Sequence, residues 1–126
     1  MDDTTTLLAI IRSAHREWTF AHKMLMANDN ALLAYLRLQL GWSLKLDKKE
    51  RDAIAADARR MVENCDGPHV DAILAVHQSR LPFETIKKNQ EKIIILAVRK
   101  LPVWIEWAKD VHGLGEASVG RILAET

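Results

Sequence analysis

Cysteine is almost missing from this sequence. Cys65 is the only one in 126 residues, so no intramolecular disulfide can form and a reducing compartment is the simpler home. Three prolines and five glycines leave few points where a helix must stop. Charge of one sign is missing too: the formal net charge is +1, which gives no global pull toward a polyanion. The longest apolar run, IIILAV from Ile93 to Val98, falls far short of the roughly 20 residues a membrane span needs. The start, MDDTTTLLAII, has an acidic head and too short an apolar stretch for a secretion signal. These absences lead to the expectation of a cytoplasmic protein with no membrane segment.

What is present points to helices. A chain that is 48% hydrophobic and 28% charged is globular in composition. Its length is that of one ordinary domain and needs no metal or disulfide staple. Leu7, Ile11, Ala14, Trp18, Ala21 and Leu25 recur in 4-3-4-3-4 steps, the seam of a long helix capped by Asp3 or Thr4. Asn28, Asp29 and Asn30 then either break that helix or lie solvated on one continuous rod. A leucine-rich run, ALLAYLRLQLGW, follows, and Gly41 is placed to end it.

Further on, Asp47 and Glu50 have the spacing of a capping box, which opens a helix from Leu46 to Glu63 with Ile54, Ala58, Met61 and Val62 as its apolar stripe. NCDGP, Asn64 to Pro68, reads as a turn. His69 to Gln78 reads as a short helix with Val70, Ile73 and Leu74 inward. Ser79 or Arg80 then caps a new helix that starts near Pro82 and ends about Leu101. Pro102 opens VWIEWAKDV, and Glu116 to Glu125 forms the last helix. The expected architecture is all-α, an antiparallel bundle of long helices with a C-terminal helix-hairpin-helix-like corner. It is expected as one domain over 1–126, with segments 4–45, 46–81 and 82–126.

The corner is the run Val111, His112, Gly113, Leu114, Gly115. Glycines there permit a tight turn, Leu114 plugs the gap between two helices, and the N–H groups opening the second helix, around Gly115 to Ala117, can meet a phosphate. Ser118 adds a hydroxyl. Against that use, Glu116 stands at the start of the second helix. A carboxylate there satisfies the same donors and repels phosphate. The surrounding Leu101–Thr126 segment carries a net −2.

A family resemblance enters at this point. KLPVWIEWAKDVHGLGEASVGRILAET, Lys100 to Thr126, resembles a segment of IS110-type transposases and transposase-like proteins. There a helical region leads through an LP…W…V.G.G stretch into a helix-hairpin-helix. TTTLLAIIRSAHREWTFAHK, near the N-terminus, resembles the helical lead-in of shorter members. The resemblance implies association with DNA, and in some members with a structured RNA. It also implies a catalytic acidic domain and a downstream serine, but no residue of this sequence matches either position. The expectation is a family piece without the chemistry, with no catalytic residue, no cofactor and no small-molecule substrate.

Local charge singles out one segment. From Glu84 to Lys100, Lys87, Lys88, Lys92, Arg99 and Lys100 face only Glu84 and Glu91, a local net +3. With Arg121, Ser118, Gly113 and Gly115 they form the candidate nucleic-acid surface, although a solvated helix back is the plainer reading. Leu32, Leu33, Leu36, Leu40 and Trp42 form the candidate protein interface, in a homodimer or with a host or phage protein. His15 and His22, seven apart, share one helix face. His69 and His77 lie eight apart, and Cys65 precedes His69 by four. No HxxxH, HExxH or CxxC spacing occurs, so no metal site is expected. The four tryptophans, Trp18, Trp42, Trp104 and Trp107, read first as core anchors. Two functions remain open: a DNA-associated binding module, or a protein-interaction module of a phage or mobile element that inhibits a host defence complex or regulates a transposase.

Overall fold

The computed structural model describes residues 3–106, 110 and 115–125. Among them the chain is all-α. Its helices are α1 (Asp3–Gln39), α2 (Lys48–Asn64), α3 (Val70–Arg99), α4 (Pro102–Glu106) and α5 (Glu116–Glu125). No helix among the described residues is long and apolar enough to cross a membrane. The residues Val111 to Leu114 of the expected hairpin corner lie outside the described residues, as does Trp107.

The 4-3 seam folds as its spacing dictates. Ile11, Ala14, Ala21 and Leu25 are all buried along α1. Asn28, Asp29 and Asn30 sit inside the same helix, so the rod is continuous. It ends through a Schellman motif: Gly41 takes φ +90°, its N–H donates to Leu38 O at 3.1 Å, and Trp42 N–H donates to Arg37 O at 2.9 Å. The Arg37 guanidinium then lies 5.9 Å from the centre of the Trp42 ring, closing the turn over itself.

The expected Asp47 cap forms, and α2 begins at Lys48 rather than Leu46. Asp47 is extended, and its carboxylate accepts from Glu50 N–H at 2.8 Å. At the other end Cys65 adopts the left-handed conformation (φ 51°, ψ 50°), and the N–H of Asp66 reaches back to Met61 O at 3.3 Å. This is a second Schellman closure, with cysteine where glycine is usual.

The reading of two helices between His69 and Leu101 needs correction. α3 is one helix of 30 residues with Pro82 inside it. Ser79 and Arg80 are therefore interior residues and not caps; the Ser79 hydroxyl donates to Val76 O at 2.7 Å. Proline removes the hydrogen bond to the carbonyl of Gln78 and crowds it. Gln78, Ser79, Leu81 and Pro82 are all exposed, so water can satisfy the freed group and the helix continues. Leu74 is also corrected: it is 45% exposed, while Ile73 beside it is fully buried.

The chain forms two compact units, residues 1–23 with 83–126, and residues 24–82. The first has a core of Ile11, Ala14, Ile94, Ala97, Val98, Leu101 and Val119, with Trp104 and Leu123 packed against it. Within it α1 and α3 run antiparallel. Phe20 meets Phe83 edge-on at 6.2 Å, while Ile11 shares a cluster with Val98. The second has Leu32, Leu36, Ala58 and Ile73 at its centre. Its α1 and α3 segments are antiparallel too, since Asp29 pairs with Arg80 and Tyr35 meets the His69 ring edge-on at 5.8 Å.

Candidate functional site: a cleft beside Trp18

Aromatic and polar side chains gather in the unit of residues 1–23 and 83–126. The cluster is built on one face of α1. His15, Trp18 and His22 stand at i, i+3 and i+7, so helical periodicity stacks their rings up that face. The planes of His15 and Trp18 differ by 9° with centroids 6.2 Å apart, and those of Trp18 and His22 by 9° at 5.1 Å. Two cations from elsewhere in the sequence reach the indole. Lys87 of α3 puts its Nζ 4.8 Å from the ring centre, and Arg121 of α5 puts its Cζ at 5.4 Å. The quadrupole of the ring attracts both.

Neighbouring groups hold this arrangement. Lys87 Nζ lies 3.2 Å from His22 Nδ1. An ammonium can only donate, so this contact is a hydrogen bond in the tautomer whose ring proton is on Nε2. His15 Nε2 is 3.4 Å from the Thr19 hydroxyl and 3.7 Å from a Glu125 carboxylate oxygen. An open cleft of about 370 Å³ adjoins the stack, lined by His15, Trp18, Glu91, Ile94, Ala117, Ser118, Arg121 and Ile122.

The lysines on and just after α3 divide into two sets. Lys87 is half-buried and engaged with the indole, whereas Lys88, Lys92 and Lys100 are exposed and have no carboxylate partner among the described residues. Arg99 is also engaged: its Nε donates to Glu116 Oε1 at 3.0 Å. The Glu116 carboxyl is held below its ordinary range, first by a hydrogen bond from its own backbone N–H and then by Arg99. The start of α5 therefore already carries an anion. Gly115 is exposed and its carbonyl accepts from Val119 N–H at 3.1 Å, which is the opening bond of α5. Ser118 is exposed on the cleft wall. Gly113 lies outside the described residues.

The leucine-rich surface divides as well. Leu32 and Leu36 are buried in the core of the unit formed by residues 24–82, with Leu33 packed against them. Trp42 is half-buried and Leu40 is 36% exposed. The large apolar side chains that face outward most there are Leu38 at 65% and Leu44 at 78%, ahead of Tyr35, and the leucine spacing alone does not single them out. Among the described residues no three histidine, cysteine, aspartate or glutamate side chains gather in a way that could hold a metal ion.

The sequence signals several parts of the Trp18 site: the shared face of His15 and His22, the basic run containing Lys87, and the candidates Ser118 and Arg121. The link between them is invisible in sequence. Trp18 sits in the apolar seam, Lys87 looks like one more surface lysine, and Arg121 belongs to a distant helix.

The chain matches no known family model, and neither the curated proteins nor the solved structures contain a significant match to it.

Proposed function

We propose that this chain is a non-catalytic helical binding module, of the kind found in transposase-like machinery, that associates with nucleic acid in the cytoplasm. The observation that carries this reading is the set of three exposed lysines on one unit with no carboxylate partner among the described residues. Lys88 and Lys92 stand one turn apart on α3, and Lys100 follows its end. Arg121 and the aromatic cleft belong to the same unit. Backbone phosphates favour such a set because each neutralised phosphate releases condensed counterions. The contact surface differs from a phosphate-gripping hairpin. Glu116 already occupies the N–H group that a phosphate would use at the start of α5, and Arg99 is tied to it.

The test is fluorescence anisotropy with labelled single-stranded and duplex 20-mers at two salt concentrations. Affinity falls as salt rises. The triple variant Lys88→Ala, Lys92→Ala, Lys100→Ala weakens binding and flattens the log–log salt slope by roughly 2–3, since each lost phosphate contact removes about 0.7–0.9. Absence of binding to either probe at low salt sinks the reading.

One observation favours a second reading, a protein-interaction module. Leu38 and Leu44 are among the most exposed large apolar side chains, with Tyr35 and Leu40 close by in sequence. If they meet a second copy or a host or phage protein, the wild type sediments as a complex and Leu38→Asp with Leu44→Asp sediments as a monomer. A monomer at all concentrations, with no partner recovered in pull-downs, overturns this second reading.

A further inference from the structure

We infer that the cleft beside Trp18 receives an unpaired guanine base, carried either by a free guanine nucleotide or by a single strand. Glu91 reads the base and Arg121 meets the phosphate. The inference deepens the nucleic-acid reading, on which its strand-borne form rests.

The cleft has a size suited to one small planar ligand, about 370 Å³ against the roughly 300–1,000 Å³ of typical ligand pockets. Its walls are chemically divided. Trp18 supplies a broad indole, and Ile94 and Ile122 supply apolar edges. Four polar side chains converge on the space: His15, Glu91, Ser118 and Arg121. A planar aromatic ligand satisfies the first set by stacking, which every nucleobase can do. Selection among bases must come from the second set.

Glu91 is the informative member. Lys87 precedes it by one turn on α3, and an i, i+4 ion pair between them would be routine, although lysine before glutamate is the weaker order. Lys87 turns instead to Trp18 and His22. Glu91 is left lining the cleft with no ion-pair partner among the described residues. An ionised carboxylate only accepts hydrogen bonds, through two adjacent oxygens. Guanine is the nucleobase whose Watson–Crick edge presents two adjacent donors, N1–H and the 2-amino group. Adenine and cytosine each place a ring acceptor beside the amino group, and uracil and thymine flank one N–H with two carbonyls. A carboxylate therefore accepts two bonds from guanine and meets a lone pair on every other base. The edge is available only when guanine is unpaired.

Arg121 supplies the other end of the ligand. It is exposed and stands over the indole, held by cation–π attraction. An entering base takes its place against the ring, and the long side chain swings to the rim, where its guanidinium forks onto phosphate oxygens. The Ser118 hydroxyl lies on the same wall for a further oxygen contact.

The experiment uses the full chain and isothermal titration with GMP, AMP, CMP and UMP. A parallel series uses oligo-dT 12-mers with and without one central dG. GMP binds about tenfold more tightly than the other three, the scale of a good two-point base contact. The dG strand exceeds plain oligo-dT by a similar factor. Glu91→Gln removes the preference and leaves AMP and plain oligo-dT unchanged. Arg121→Ala weakens GMP but not guanosine. Glu91 and Arg121 are both exposed, and circular dichroism confirms that the variants keep their helices. Equal affinities for the four nucleotides, no binding of any of them, or an unchanged GMP preference in Glu91→Gln overturns the inference. Salt-dependent binding of strands with no guanine preference overturns the inference and leaves the nucleic-acid reading standing. Guanine-selective, Glu91-dependent GMP binding with no strand binding does the reverse.

Discussion

The two units use glycine in opposite ways. In residues 24–82, Gly41 and Gly67 both take positive φ, +90° and +92°; Gly41 closes α1, and Gly67 lies in the turn between α2 and α3. A side chain at Gly41 would meet no atom within 4 Å, so its value there is purely conformational. In residues 1–23 and 83–126 the pattern inverts. Gly120 sits within α5 and is buried, and a Cβ on it would collide with Ile94 Cγ2 and lie 3.5 Å from Val98 Cγ2. It is there because α5 lies against α3 more closely than a methyl group allows. One unit is organised by chain reversals between α1, α2 and α3, the other by close approach of α5 to a long helix. The polar site belongs to the second, where Arg121 follows Gly120 directly. Seating α5 tightly on Ile94 helps bring that guanidinium to Trp18.

Core truncation tests the comparison most severely. Leu36 and Ile11 are both fully buried, one in each unit's core. Leu36→Ala and Ile11→Ala should each cost about 2–5 kcal/mol, from lost burial and the cavity left behind. Urea denaturation gives the size and amide exchange the location. Leu36→Ala lowers protection first in α2, and Ile11→Ala first in α5. Equal loss in both helices for both variants would dissolve the distinction between the units.

Glycine chemistry gives the next test, with opposite signs. Gly120→Ala gains helix propensity of about 1 kcal/mol, but overpacking against the stiff, buried Ile94 costs about 1–3 kcal/mol, so the net change is destabilising. Cys65→Gly in the other unit should stabilise by a few tenths to about 1 kcal/mol, because glycine adopts the left-handed closure of α2 without a Cβ penalty. A stabilised Gly120→Ala in thermal melts would show that α5 rides less tightly than described, and Arg121 would lose its anchor.

Much of this fold is readable where the interactions are local. The 4-3 seam of α1, the Asp47 cap and the bounds of α5 all rest on residues within a turn or two of each other. Pro82 misleads because its local effect is real, yet its exposed position lets water satisfy the carbonyl it frees. Cys65 misleads because NCDG offers Gly67 as the obvious left-handed residue, while the closure of α2 needs that conformation two positions earlier. The site is legible only in halves. Seven-residue spacing puts His15 and His22 on one face, and charge counting flags Lys87. That Lys87 and Arg121 meet on Trp18 depends on packing between elements far apart in sequence, for which no local pattern exists. The same holds for Leu32 and Leu36, whose spacing marks an apolar face but not which partner covers it; α2 and α3 do.

The smallest expected effect concerns the link between α3 and α5. The Glu116 carboxyl is stabilised in its charged form by its own backbone N–H and by Arg99, so its folded pKa lies below the unfolded one. A lowered carboxylate pKa adds stability that is fully present above the unfolded value, about 4.3, and is lost as pH falls through the folded value. The wild type should therefore lose a little more stability between neutral pH and pH 3 than Glu116→Gln does. The difference is small because the pair is open to solvent and screened by salt. If the wild type and Glu116→Gln lose stability equally on acidification, the contact between Arg99 and Glu116 contributes nothing to holding α5 in place. Arg121 would then owe its position over Trp18 to the apolar packing of α5 through Val119, Gly120 and Leu123.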